Sequence, residues 1–352
     1  MNSPLKKPQR PPAPAVQRCI AGDCAAEYEI NEPIYACRKC GGTLEIDCRV
    51  EGLSDLGTLR QKWQARATSN DTRDRSGVWR YREVLPFLAD APTVTLFEGN
   101  TPLYDAPKCA NYAGLASLTL KHQGTNPTGS FKDTGMTTAV TQAVILGARA
   151  IVCASTGNTA ASLAAYAARA NVKCVVLLPA NQVSPAKLAQ SMDYGAVILE
   201  VAGNFDDCMR LTHELSDIRW IYVANSINPF RIEGQKTVAY ELMAQRDWQV
   251  PDHVVVPGGN MGNSSALGKG FEEMRRMGLI DRIPKLSIVQ AEGASPLARL
   301  FSSVALAGGK SEKSAFAEIE TMADPRTLAT AIRIGARPLA ASSRRSGRLI
   351  TY

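Results

Sequence analysis

The stretch "NPTGSFKDTGM", residues 126–136, sets the reading of this chain. One lysine, Lys132, follows a run of small polar residues and leads straight into the apolar periodicity of "KDTGMTTAVTQAVILGA" (132–148), which predicts a helix closed by Gly147. A lysine at the head of a helix meets the positive end of the macrodipole, and burial among small residues removes its water. Both effects favour the neutral amine, the form that attacks an aldehyde. Most lysines are solvated, but Ser130 and Phe131 beside this one do not make a solvated face.

Working outward, short unalternated apolar runs alternate with helical patterns. Strands are predicted at 115–124, 150–155 ("AIVCAS"), 172–179 ("VKCVVLLP"), 196–203, 253–259 and 286–293, with helices such as "TAASLAAYAARA" and "FDDCMRLTHELS" between them. That order predicts an α/β fold with parallel sheets covered on both faces. Ligand loops of such sheets gather at the carboxyl ends of strands. Three small-polar loops fall there: the lysine loop, "ASTGNTAAS" (154–162) and "PGGNMGNSSALGKG" (257–270). The third is neither G-x-G-x-x-G nor a Walker A loop, so dinucleotides and ATP are poor fits. Its glycines and asparagines can aim backbone N–H groups from a helix N-terminus at an anion. An amine for an aldehyde and a cradle for a phosphate together describe pyridoxal phosphate (PLP).

The 352 residues, 45% hydrophobic and 21% charged, suit a globular chain with more than one core. The net charge of +7 is terminal: residues 325–352 hold six arginines and no acid, and residues 1–22 hold four cations and no acid, leaving about −3 for the body. A nucleic-acid groove is not indicated. No apolar run is long enough for a membrane span. Residues 1–17 are basic and Pro-rich without the apolar stretch of a secretory signal, and read as a disordered leader of a cytoplasmic protein. Residues 18–48 carry Cys19, Cys24, Cys37 and Cys40 as C-x4-C, twelve residues, C-x2-C, a ribbon whose four thiolates suit structural zinc. The alternative is a decayed knuckle that folds without metal. Cys48, Cys109, Cys153, Cys174 and Cys208 read as plain core residues. Residues 49–95 read as a helical region with a polar interruption near 69–77. Residues 96–335 read as the catalytic region, its smaller lobe at about 133–225, and 336–352 as a basic irregular tail.

"NPTGSFKDTGM", "ASTGNTAAS", "NSINPFRIEGQKTVAYEL" and "VVPGGNMGN", with "EGNTPLY" and "ATAIRIG", resemble the threonine synthases from about residue 18 to residue 335. These are PLP enzymes of the two-lobed fold shared with tryptophan synthase β-chains, cysteine synthases and serine/threonine dehydratases. The resemblance implies that Lys132 carries PLP as an aldimine and then moves protons at Cα and Cβ. It implies Asn158 against the pyridine 3′-oxygen, and Gly259, Asn260, Met261, Gly262 and Asn263 around the cofactor phosphate. Ser155, Thr156 and Thr159 would receive the substrate's carboxylate or phosphate, and Asn225, Ser226 and Arg231 its phosphate. A guanidinium with amide and hydroxyl donors suits a phosphate dianion on chemistry alone. Asn225 and Ser226 also read as a plain turn and cap. Glu233, Lys236 and Glu241 read as surface helix pairs, and His122, His213 and His253 as structural.

The implied reaction turns O-phospho-L-homoserine and water into L-threonine and phosphate, with dimers common in the family. Family members usually continue for most of another hundred residues, with further elements of the larger lobe and a hydroxyl partner for the pyridine nitrogen. The expectation is therefore a chain shortened at its C-terminus and impaired in stability or catalysis. Two alternatives stand beside the synthase: a serine/threonine dehydratase-like enzyme, and a non-catalytic PLP-binding relative.

Overall fold

The computed structural model describes residues 15–21, 23–50, 55–180 and 185–306, together with 322, 325–329 and 332. The leader (1–14 of it) and the tail 336–352 lie outside the described residues. The ribbon is three short antiparallel strands, β1 (Val16–Cys19), β2 (Glu27–Glu29) and β3 (Leu44–Asp47), in the order β2-β1-β3. Gly41 sits at φ +69°, which lets the chain turn back straight after Cys40. The 49–95 region is less helical than its pattern suggests. It holds α1 (Leu56–Arg66), capped by the Asp55 carboxylate 3.0 Å from Thr58 N, and a 3-10 turn at Trp79–Val84. Between them runs a segment of Ser, Asn and Asp, residues that favour turns because their side chains bond their own backbone.

The pair β4 (Leu103–Asp105) and β5 (Thr119–Lys121) is antiparallel around α2 (Pro107–Tyr112). The chain then enters the α/β region through α3 (Lys132–Ile145). Strands β6 (Ala150–Ala154), β7 (Lys173–Pro179), β8 (Val197–Val201) and β9 (Ile221–Val223) form one parallel sheet in the order β8-β7-β6-β9. Helices α4 (Asn158–Arg169), α5 (Pro185–Asp193) and α6 (Phe205–Leu215) connect them. Strand β6 lies inside the sheet and all five of its residues are buried, which is why its sequence does not alternate. Met136, Val140, Ile151, Leu163, Tyr166, Val176 and Leu177 make the core there. Each such side chain contributes about 1.5–3 kcal/mol on leaving water.

Then follow α7 (Pro229–Gln245), β10 (His253–Pro257), α8 (Gly262–Met277), β11 (Lys285–Val289) and α9 (Pro296–Leu306), with β10 and β11 parallel. Trp63, Tyr81, Tyr240 and Phe271 anchor a second, aromatic core. The Trp63 ring meets Tyr81 and Tyr240 edge-on, at 5.2 and 5.8 Å between centroids.

Glycines fix how α3, α7 and α8 cross. A Cβ on Gly135 would lie 2.6 Å from Gln235 Nε2 and 2.7 Å from the Arg231 carbonyl oxygen. One on Gly234 would collide with the Thr134 carbonyl, and one on Gly270 would stand 2.7 Å from the Lys236 carbonyl. The backbones therefore touch in pairs: α3 meets α7 near the first turns of both, and α8 crosses α7 at mid-helix.

Helix α7 overturns one expectation outright. Glu233, Lys236 and Glu241 are buried, not surface pairs. The helix has neighbours on every side, α3 on one and α8 on another. Glu241 holds the 98–103 loop by accepting from Asn100 N at 2.6 Å and Thr101 N at 3.0 Å, and pairs with Lys121. Cys48 is also more than a core residue: its thiol donates to Glu233 Oε2 at 3.1 Å.

Candidate functional site

Lys132 is the first residue of α3 and is half-buried. Its Nζ stands 4.4 Å from the centre of the Phe131 ring, and among the described residues it makes no hydrogen bond or ion pair. Burial, with the nearby Arg231 charge adding to it, brings its pKa down to about 7. The neighbouring acid does not neutralise it. Asp133 accepts from Thr128 N at 2.7 Å, from Thr128 Oγ1 at 2.6 Å and from Ser162 Oγ at 2.6 Å. That carboxylate ties the lysine loop to α3 and α4. Gly129, at φ +82°, reverses the loop just before the lysine. Asn126 Oδ1 accepts from Gly99 N at 2.9 Å, which docks the loop on the "EGNTPL" segment.

Arg231 lies in the first turn of α7 and is 2% exposed. Its Nη1 donates to the Ala224 carbonyl at 3.0 Å, and its Nε has no partner among the described residues. Among the described residues no carboxylate pairs with it. Burial lowers its pKa to about 10, so it remains a cation at neutral pH.

The remaining residues named from the sequence sit at the carboxyl ends of β6, β9 and β10. Ser155, Thr156 and Thr159 are half-buried, Asn158 is the exposed first residue of α4, and Ser226 is exposed. Ser155 Oγ accepts from Gly157 N at 3.3 Å. Asn225 is buried with its amide occupied: Oδ1 accepts from Ala154 N and Nδ2 donates to Ala154 O, both at 3.0 Å. It extends the β6–β9 pairing by one side-chain rung. Gly259 and Asn260 are half-buried between β10 and α8. Met261, buried, takes the left-handed conformation at φ +63° just before the helix, a strained choice for a residue with a Cβ. Gly262 and Asn263 open α8, so the unpaired N–H groups of its first turn face the loop.

Two further residues belong here that the sequence did not single out. Gln235 Oε1 and Ser264 Oγ are buried without partners among the described residues. Nothing in a helix-like run marks a Gln or Ser as a ligand contact, because the signal is the missing partner and that exists only in three dimensions. The donor set fits PLP: an accessible neutral amine, an N-terminal cradle, a buried cation without a counter-ion, and unsatisfied polar atoms.

The four ribbon cysteines bring their Sγ atoms within 4.8 Å of one another. Cys19 and Cys40 are 3.5 Å apart, Cys24 and Cys37 are 3.6 Å apart. A tetrahedral four-thiolate zinc site has an S–S edge of about 3.8 Å, so the cluster fits such an ion. Tyr28 OH lies 3.2 Å from Cys37 Sγ, a contact that favours its thiolate.

The family described as pyridoxal-phosphate dependent enzyme matches residues 94–351. Threonine synthase of Methanocaldococcus jannaschii is 47% identical over 321 residues, 91% of this chain and 73% of that one. Threonine synthase of Methanosarcina acetivorans is 43% identical over 318 residues, 90% and 72% of the two chains. Among solved structures, an L-serine ammonia-lyase from Rhizomucor miehei aligns with TM-score 0.59 at 19% identity, over 74% of this chain and 76% of that one. Threonine deaminase isoform 2 from Solanum lycopersicum aligns with TM-score 0.57 at 18% identity, over 72% and 64%. At such identities these two speak for the fold alone. No helix among the described residues is long and apolar enough to cross a membrane.

Proposed function

The chain belongs to the threonine synthases, a family of pyridoxal-phosphate-dependent enzymes, and we propose that it converts O-phospho-L-homoserine and water to L-threonine and phosphate. The observation that carries this reading is the pairing of a near-neutral amine, Lys132, with a buried Arg231 that has no carboxylate partner. PLP, when bound, supplies an electron sink for carbanionic charge. Lys132 would hold it. With a pKa of about 7 the amine both accepts and returns protons at neutral pH, and in this reading it shuttles them at Cα and Cβ of the substrate. Arg231 holds the phosphate that leaves Cγ, where low dielectric strengthens its charge. The N–H groups of Gly259 through Asn263, at the start of α8, would hold the cofactor's phosphate, and Asn158, at the head of α4, would meet the ring's oxygen. Ser155, Thr156 and Thr159 border the same strand end and would orient the substrate. The ribbon cysteines would hold a structural zinc ion.

The reading is tested by adding PLP to the purified chain and then phosphohomoserine. The expected results are an absorbance band beyond that of the protein, absent in Lys132→Ala, and release of inorganic phosphate. A band without phosphate release would rule out the synthase step while keeping the cofactor site. One observation favours a second reading, a serine/threonine dehydratase-like activity: the Asn225 amide is already taken by Ala154, which leaves fewer donors for a substrate phosphate. Ammonia release from serine or threonine, assayed beside phosphohomoserine, separates the two.

A further inference from the structure

We propose that Gln235 and Ser264 are phosphoryl contacts that complete the anion site between α7 and α8. The proposal rests on the reading of Lys132 and the 259–263 loop as a cofactor site. Gln235 is 3% exposed and Ser264 1% exposed, yet among the described residues Gln235 Oε1 and Ser264 Oγ have no hydrogen-bond partner. A buried polar atom left this way costs the desolvation of that group, and native structures keep few of them. Position gives these two a common purpose. The Gln235 amide nitrogen would stand 2.6 Å from a Cβ on Gly135. Gly135 lies one helical turn after Lys132, on the same face of α3. The Gln235 amide oxygen is 4.0 Å from the Cβ position of Gly262, the residue that opens α8. The carboxamide thus spans from the lysine's turn to the cradle, so a ligand joining the two passes beside it. Ser264 lies in the same first turn of α8, where a hydroxyl can add a donor to the backbone N–H groups. Arg231 Nε, one turn before Gln235 on α7, is the third unpartnered atom of the group. The ligand chemistry that satisfies all three is a phosphoryl group. A rotated amide, with Nε2 toward the ligand, gives it a donor as readily as the oxygen accepts from a protonated phosphate.

Two phosphates are candidates, that of the cofactor and that of the substrate, and two titrations separate them. In the first, PLP is added to the cofactor-free chain and to Gln235→Met, Gln235→Glu and Ser264→Ala. In the second, inorganic phosphate is added to the PLP-loaded proteins. A neutral contact to a charged phosphate is worth about tenfold or more in affinity. Weakening of about tenfold in the first titration assigns the two residues to the cofactor phosphate, and in the second to the substrate phosphate. Gln235→Glu keeps the shape, adds a negative charge and is expected to lose at least as much as Gln235→Met. Folding of each variant is followed by thermal melting, and Ser264→Ala, which removes one oxygen, carries the test if a Gln235 variant does not fold. Affinities within twofold of the parent in both titrations overturn the proposal and leave the Lys132 reading intact. A parent chain that binds no PLP overturns both.

Discussion

Helix α7 carries two buried charge sites two residues apart, and they are built on opposite rules. Around Glu233, every charge is answered within the protein. Glu233 and Glu273 face Lys236 and Lys269, with Lys236 Nζ 2.6 Å from Glu233 and 2.8 Å from Glu273. Tyr240 OH donates to Glu273 at 3.2 Å, Cys48 donates to Glu233, and Lys269 also reaches the Ile46 carbonyl of the ribbon. Burial opposes the Glu233 charge, but the two lysines outweigh it and hold the group ionised with a pKa of about 2. Around Arg231 and Lys132, a buried cation and an amine that titrates near 7 stand without a carboxylate partner among the described residues, and Asp133 turns away to Thr128 and Ser162. A closed set of charges is scaffold: it clamps the ribbon to α7 and α8. An open set is one that an anion would complete.

Breaking the open set should abolish function and spare the fold. Lys132→Met is expected to lose the cofactor band and all phosphate release, the largest effect predicted, while the ligand-free chain melts no lower than the parent. A melting temperature lowered by many degrees would show that Lys132 is scaffold after all. Breaking the closed set should do the reverse. Lys236→Met leaves Glu233 and Glu273 short of a counter-charge in the interior, at a cost of about 3–5 kcal/mol in denaturant unfolding. The double variant in which Glu273→Gln accompanies it should recover part of that loss, a coupling that a double-mutant cycle reads directly. Smaller again is Arg231→Met. It removes a charge with no carboxylate partner among the described residues, so stability should stay near the parent's while KM for phosphohomoserine rises about ten- to a hundredfold, as for loss of a charged hydrogen bond.

The contrast also marks where the sequence stops being readable. Strands β6 and β7 were legible because burial on both faces writes unbroken apolar runs, and α3 because Gly147 closes its periodicity. The placement of the lysine and the 259–263 loop at helix starts was legible because small polar runs interrupt the apolar pattern there. The ribbon cysteines declared themselves by spacing. The interior of α7 was not legible. Glu and Lys at helical spacing read as a solvated face, and only Gly135, Gly234 and Gly270 show, once the helices are packed, that no solvated face exists. Asn225 was read as a phosphate donor or a cap, whereas its amide closes a rung with Ala154, a partner 71 residues away. Local pattern cannot report a bond of that range.

The dependence of stability on pH separates the two sites by sign. Lys132 titrates near 7 when folded and near 10.5 when unfolded. Below pH 7 the amine is charged in both states and the folded chain bears the full burial penalty. Between about pH 7 and 10.5 the unfolded chain binds more protons than the folded one, so the penalty fades and this group's contribution to stability rises with pH. Glu233 behaves in the other direction of need. Its folded pKa of about 2 lies below the ordinary 4.5, so its stabilisation is complete above pH 4.5 and is lost as pH falls towards 2. Unfolding of the ligand-free chain, measured against pH for the parent, Lys132→Met and Glu233→Gln, resolves both. Lys132→Met should flatten the alkaline rise and leave the acid fall, and Glu233→Gln should blunt the acid fall and leave the alkaline rise. If Lys132→Met leaves the alkaline limb unchanged, the amine is not the uncompensated group, and the distinction between an open and a closed charge set on α7 fails at its central residue.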